Sequence, residues 1–433
     1  VYKYGIMPKS IDNTKVQKAF DDFMKLYKEE GDLARICYDN TSFTVSEGIG
    51  YGMLVMVYMD NATNNTQPKF DKIWNYYKKF LNQNGLMHWK INGFSTIDQR
   101  NAATDAELDV AIALLQAYKQ WGNEQYLTDA KSMIDKISKF EVNANGYLKP
   151  GDTWDNKKNP SYFSTGALEC YKQASSFDWG KVITNSYTLL KKVQNSTTGL
   201  VPDWCGEGGD AQGDYFYDAT RTPWRIAWAH SWYGHADAKA FCTKIASWIA
   251  TKTNGDPANI KAGYKLDGSQ LADYGNATFV GPFACAGMVD ATHQEWLDKS
   301  FTYLAGMAET VYFQVSLKML TMLYLSGNMP NLWDNPTSAR ISPRPAPPAA
   351  DRFSVQVPQA GSLRCSFTTA VPGRVSVALY APDGKVAARI VDGVLVAGDH
   401  SVTCHRQLAG GIYVAQMRSA DGTLTREAVI VNR

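Results

Sequence analysis

The apolar positions of residues 14–30 (TKVQKAFDDFMKLYKEE) fall at Val16, Phe20, Phe23, Met24 and Tyr27. That three-to-four spacing predicts an amphipathic helix. Similar patterns return at 48–60, 69–83, 104–121, 125–140, 162–174, 179–195, 221–234, 236–252, 279–289, 292–308 and 311–326, with Gly, Asn or Pro in many connections. About twelve helices are expected. Several are apolar on almost every side, as in Asp109-Val-Ala-Ile-Ala-Leu-Leu115, and such helices are buried all round. An inner ring of buried helices inside an outer amphipathic ring would explain both kinds. That arrangement is an all-α (α/α)6 barrel, with its cleft built from loops at one end.

The pattern changes near residue 340. Residues 336–350 read PTSARISPRPAPPAA, a composition that favours extended polyproline backbone. We place a helical domain at 1–335, a linker at 336–351 and a second domain at 352–433. In the second, Phe353–Val357, Arg374–Tyr380, Gly411–Met417 and Arg426–Val431 alternate or run apolar with β-branched residues. Turn signals separate them at Pro382-Asp383-Gly384, Ala397-Gly398-Asp399 and Asp421-Gly422. About seven short strands suggest a small all-β sandwich. Composition shifts at the same point. Before residue 340 there are 29 Lys and four Arg; from Arg340 onward there are ten Arg and one Lys, and all 12 Trp precede the linker.

A formal net charge of +2 gives no field that would steer the chain to nucleic acid or a membrane surface. No stretch approaches the roughly 20 uninterrupted apolar residues of a membrane span. The chain does not begin with Met and shows no basic-then-apolar leader, so it reads as a mature secreted or cell-surface protein. The seven Cys are scattered with no zinc-like spacing, and the six His form no ligand pattern, so neither metal nor cofactor is expected. Cys365 and Cys404 could pair across strands of the tail. Aromatics are abundant at 12%, and the flat faces of Tyr and Trp suit the C–H faces of sugars.

Three carboxylates stand in settings of small or aromatic residues. Glu47 lies in Ser46-Glu47-Gly48-Ile49-Gly50-Tyr51-Gly52-Met53. Gly48 and Gly50 permit close backbone approach, and the apolar stretch after them excludes water, which raises a carboxyl pKa. Glu47 therefore suits a general acid; the alternative is a carboxylate that complements a helix dipole. Asp105, after Thr104 at a helix start, reads either as a helix cap or as a group gripping sugar hydroxyls. Glu107, further along that helix, is expected in solvent or beside a basic group. Asp218 is followed by Arg221, which would hold it ionised and oriented as a base, with Tyr217 helping to hold water; the alternative is a surface ion pair of little value. Glu207 is the rival base. Loop aromatics Trp89, Trp154, Tyr162 and Phe163 are candidate sugar platforms. Hydrolysis with inversion needs two carboxyl groups about 6.5–9.5 Å apart and no cofactor.

The stretches SEGIGYGM (46–53), GLMHW (85–89), ATDAELDVA (103–111), LKPGDTW (148–154), NPSYF (159–163), GLVPDWC (199–205), YDATRTPWR (217–225), NATFVGP (276–282) and LTMLYLSGNMPN (320–331) follow one another along the chain and hold most of these residues. In this order they closely resemble glycoside hydrolase family 8 across nearly all of residues 1–333. The resemblance implies an inverting endo-hydrolase on an (α/α)6 barrel, with Glu47 as acid, Asp218 as base, Asp105 holding the sugar at the cleavage point, and Trp89 and Trp154 stacking on glycosyl units. It implies a polysaccharide partner; a monomer is expected. SEGIGYG and YDATR look most like the cellulase branch, so an endo-β-1,4-glucanase is expected, with xylanase and then chitosanase as alternatives. A carbohydrate-binding or surface-anchoring protein without catalysis is the alternative from another class. Residues 309–315 (ETVYFQV) depart from the Tyr/Gly-rich stretch of family cellulases, although Tyr312 and Phe313 remain for substrate contact. The tail resembles C-terminal β-domains used for secretion or surface attachment.

Overall fold

The computed structural model describes residues 2–61, 63–334, 353–359, 362–369, 373–395, 398–405, 408–418 and 424–431. The chain divides into two compact units, Val1–Arg340 and Ile341–Arg433. The expected linker, 336–351, lies outside the described residues.

The first unit carries helices α1 (Asn13–Phe23), α2 (Ser46–Tyr58), α3 (Gln67–Lys79), α4 (Thr104–Trp121), α5 (Glu124–Phe140), α6 (Thr165–Ala174), α7 (Trp179–Val193), α8 (Thr222–Tyr233), α9 (Ala236–Lys252), α10 (Ala277–Gly287), α11 (Gln294–Gly306) and α12 (Tyr312–Leu325). Two kinds of helix alternate. In α2 every residue but Glu47 is buried, and α10 is buried throughout. In α1 only Val16, Ala19, Phe20 and Phe23 are buried, one stripe at three-to-four spacing. The stripe of α5 is Tyr126, Ala130, Met133, Ile134 and Ile137. The even-numbered helices pack successively, α2 on α4, α4 on α6, α6 on α8, α8 on α10, α10 on α12 and α12 on α2. The odd-numbered helices pack on their outside, for example α3 on α2 and α5 on α4. Each Leu, Ile or Phe fully withdrawn from water contributes about 1.5–3 kcal/mol.

Side chains define several helix ends. Asp12, Asn123, Asp178 and Asn276 accept backbone N–H groups at the starts of α1, α5, α7 and α10. Gly122, at φ 72°, ends α4 in the left-handed conformation that glycine tolerates. The helix expected over 14–30 stops at Phe23. Residues Tyr27–Glu30 instead form a strand paired with Leu33–Ile36 around Gly31 at φ 61°. Lys28, Glu29 and Glu30 are good helix formers, but propensity is worth only a few tenths of a kcal/mol per residue, and the ladder with a largely buried strand overrides it. Among the described residues no helix is long and apolar enough to cross a membrane.

Among the described residues, the second unit contains two antiparallel sheets. One has the order Val386–Leu395, Gly373–Tyr380, Gly411–Arg418, Leu424–Val431; the other has Gly398–His405, Ser362–Thr369, Phe353–Gln359. Alternate residues such as Val375, Val377, Leu379, Tyr413, Ala415 and Met417 enter one apolar cluster with Cys365 and Phe367. The Cys365–Cys404 pairing is not present. The register sets Val402 opposite Cys365, which is a free, buried thiol.

Candidate active site

Strand Phe43–Val45 pairs with Lys90–Asn92 and runs directly into α2. The Ser46 N–H donates to the Trp89 carbonyl at 2.8 Å, tying the start of α2 to the loop that bears Trp89. Glu47 sits in the first turn of α2. The glycines beside it have separate purposes. A Cβ on Gly50 would stand 2.8 Å from the Asp109 Cβ, so glycine lets α2 and α4 touch. A Cβ on Gly48 would lie 3.1 Å from the Tyr312 hydroxyl. That hydroxyl donates to Oε1 of Glu47 at 2.9 Å.

Asp105 occupies the first turn of α4, and no side chain caps that helix. The capping alternative therefore falls away. Its Oδ2 accepts from Nη1 of Arg221 at 2.7 Å. The same Nη1 donates to Oε2 of Glu47 at 2.7 Å, and Nη2 donates to Oδ1 of Asp218 at 2.7 Å. One buried guanidinium thus gathers three carboxylates from α2, α4 and the loop before α8. Its terminal nitrogens are about 2.3 Å apart in a planar fork, so the bonded oxygens of Glu47 and Asp218 are at most about 8 Å apart. That limit is compatible with the separation of an inverting pair, roughly 6.5–9.5 Å. Asp218 also accepts from Asn159 Nδ2 on Oδ1 and from the Trp204 indole N–H on Oδ2, each at 3.1 Å.

One cation among three carboxylates leaves an excess of negative charge. Burial pushes the Glu47 carboxyl up to about 7, and the neighbouring charges of Asp105 and Asp218 add to the rise. Arg221 and the Tyr312 hydroxyl oppose it. Glu47 thus retains a proton up toward neutral pH, the property required of a general acid. Glu207 stands elsewhere: its carboxylate accepts from Asn143 and Asn145 and lies 3.4 Å from the Lys158 ammonium. Those contacts commit it to a structural network. Glu107 is not solvated, and among the described residues it is paired with no cation. It is fully buried, accepts from the Tyr77 hydroxyl, and burial lifts its carboxyl to about 8.

The expected platforms divide. Trp89 and Trp154 are 38% and 39% exposed, unusual for such large rings. Tyr162 is largely buried, with the Arg221 guanidinium 5.5 Å from its ring centre. Phe163 is corrected: at 1% exposure it belongs to the core and offers no face to a ligand. The backbone turn Pro160–Tyr162 directs it inward, which loop composition does not reveal. Tyr217 lies against Phe216, Phe279 and Phe313, and its hydroxyl accepts from Asn276. Three residues were not anticipated. Trp204 lies 5.8 Å from Trp154, Asn159 binds Asp218, and the exposed Tyr38 meets Tyr312 edge-on at 5.2 Å. Trp204 lies two residues after Pro202, the same signal that singled out Trp154, and forms the short strand Trp204–Cys205.

The family model of glycosyl hydrolases family 8 matches residues 10–327. The chain is 41% identical to Endoglucanase 2 of Ruminiclostridium josui over 306 residues, 67% of this chain and 65% of that protein. The chain therefore spans less than two thirds of that relative's length. It is 33% identical to the Beta-glucanase of Niallia circulans, covering 73% of this chain and 85% of the relative. The apo structure of a β-1,3-1,4-glucanase from Paenibacillus sp. X4 superposes with a TM-score of 0.72 at 32% identity, over 75% of this chain and 96% of that one. The match begins ahead of α1, ends beyond α12 and includes Arg221 with all three carboxylates it binds, and the chain belongs to glycosyl hydrolases family 8.

Proposed function

We propose that the chain is an inverting endo-β-1,4-glucanase acting on cellulose or mixed-linkage β-glucan. The observation that carries this reading is the single Arg221 guanidinium shared by Glu47, Asp105 and Asp218. Glu47 gives its proton to the glycosidic oxygen as the bond to the anomeric carbon breaks. A water attacks the opposite face of that carbon and passes its proton to Asp218, so the product anomer is inverted. Asp105 grips the sugar between them. Trp89 and Trp154 supply exposed rings on which further glycosyl units stack. The endoglucanase and β-glucanase names of the relatives support a glucan rather than another polymer.

The same reading extends to the scaffold and its setting. The successive packing of the even-numbered helices supports an (α/α)6 barrel, its active groups at one end. A polymeric substrate supports work outside the cell. From Arg340 onward there are 11 Arg and Lys against six acids, which supports surface attachment by the tail. The deciding experiment is proton NMR of products from barley β-glucan, carboxymethylcellulose, xylan and chitosan. Glucans should give new reducing ends that first appear as the α-anomer. Initial release of β-anomer, or turnover confined to xylan or chitosan, would refute the proposal.

A further inference from the structure

Asp218 precedes the short turn Ala219–Arg221, and its carboxylate is 35% exposed. A side chain there takes its direction from neighbours. Oδ1 is committed to Arg221 and Asn159. Among the described residues, the partner of Oδ2 is the Trp204 indole N–H at 3.1 Å. The residue before Trp204 holds the backbone of the same loop: Oδ1 of Asp203 accepts from the N–H groups of Phe216, Asp218 and Ala219 at 3.1, 3.1 and 2.7 Å.

Trp204 is itself fixed. Its backbone pairs with Gln212, and Cys205 exchanges hydrogen bonds of 2.7 and 2.9 Å with Lys158. Its ring lies 5.8 Å from Trp154 and 6.2 Å from Tyr162, and the Lys157 ammonium stands 3.6 Å over its face. The indole cannot swing without breaking several of these contacts.

We propose that Trp204, seconded by Asp203, is the positioning residue of the base: its N–H aims Oδ2 of Asp218 at the attacking water. This rests on the reading of Asp218 as that base. One lone pair of Oδ2 accepts from the indole, which leaves the other directed for the proton. In the step, the water oxygen bonds to the anomeric carbon, its proton moves to Oδ2, and the departing oxygen takes the proton of Glu47. A misplacement of about 1 Å in such a geometry costs about 100-fold in rate.

The test is Trp204→Phe, which retains an aromatic ring and removes the N–H. Rates are measured on mixed-linkage β-glucan and on an aryl β-cellotrioside with an activated leaving group. Such a leaving group departs without protonation, so it bypasses a defect at Glu47 but not one at Asp218. The kcat should fall about 10- to 100-fold on both substrates with KM within about 3-fold of wild type. Unchanged kcat overturns the proposal. So does a loss carried by KM alone, or one that disappears with the activated substrate. Asp203→Ala supplies a second variant, removing the oxygen that accepts from the Phe216, Asp218 and Ala219 N–H groups, and it should show the same kcat-selective loss; a wild-type kcat there counts against the proposal. A wild-type enzyme inert on every polysaccharide would instead sink the glucanase reading itself, whatever Trp204 does.

Discussion

Replacing Glu47 by Gln should abolish turnover and, at alkaline pH, make the protein more stable. The acid's ordinary value is 4.5, and in the folded protein it lies at about 7. Burial is the main cause, so the ionised form is disfavoured on folding. Lifting a carboxyl over that interval corresponds to about 3 kcal/mol against the charged state. The sign follows from proton binding: between pH 4.5 and 7 the folded chain holds a proton that the unfolded chain has released. Stability from this group is complete below pH 4.5 and is lost as pH rises through 7. Gln imitates the protonated acid and does not ionise. By calorimetry the melting point of Glu47→Gln should match wild type within about 1 °C at pH 4.5. At pH 8.5 it should stand about 3–8 °C higher. A variant less stable than wild type at pH 8.5 would refute the reasoning. It would mean that the Arg221 bond to ionised Glu47 outweighs the burial of that charge.

Other substitutions separate site from scaffold. Tyr312→Phe removes a donor to ionised Glu47, so the alkaline limb of the kcat/KM profile should move to higher pH; a shift to lower pH would contradict the assignment of the acid. Trp154→Ala should raise KM for β-glucan about tenfold with little change in melting point, because its exposed ring is available to sugar. Phe163→Ala should do the reverse, costing about 3–5 kcal/mol of stability as a buried ring is lost, measurable by thermal denaturation. Gly50→Ala in an ordinary helix would stabilise, but here the new Cβ meets Asp109 at 2.8 Å, so unfolding measurements should show a loss of about 1–3 kcal/mol.

The helices were legible because their burial follows period. The buried set Val16, Ala19, Phe20 and Phe23 is visible in the spacing of residues 14–30, and the all-apolar run after Asp109 correctly marks a helix covered on every side. The end of α1 was not legible. Lys28, Glu29 and Glu30 carry no strand signal of their own; they become a strand because Leu33–Ile36 lies beside them. Loop aromatics show the same limit. Trp154 and Phe163 both follow a proline within a few residues, yet one is exposed and the other is core. The difference lies in how each turn directs its side chain, which composition does not encode.

The carboxylates show why a local motif is only half of a site. Glu107 and Glu47 both stand in helical first turns and both are pushed up by burial. Glu107 lies wholly inside, meets Tyr77 and, among the described residues, has no cation beside it. Glu47 is partly open and shares Arg221 with Asp105 and Asp218, residues 58 and 171 positions away in the chain. Sequence reasoning paired Arg221 with Asp218 because they are three residues apart, and that bond exists. In the proposed mechanism the two long-range bonds, to Glu47 and Asp105, are the ones that join that ion pair to the acid and to the group that grips the sugar. A guanidinium already satisfied by Asp218 alone could not draw the acid toward it. One shared among three carboxylates cannot neutralise them all, and burial with the charges of Asp105 and Asp218 lifts the Glu47 carboxyl to about 7.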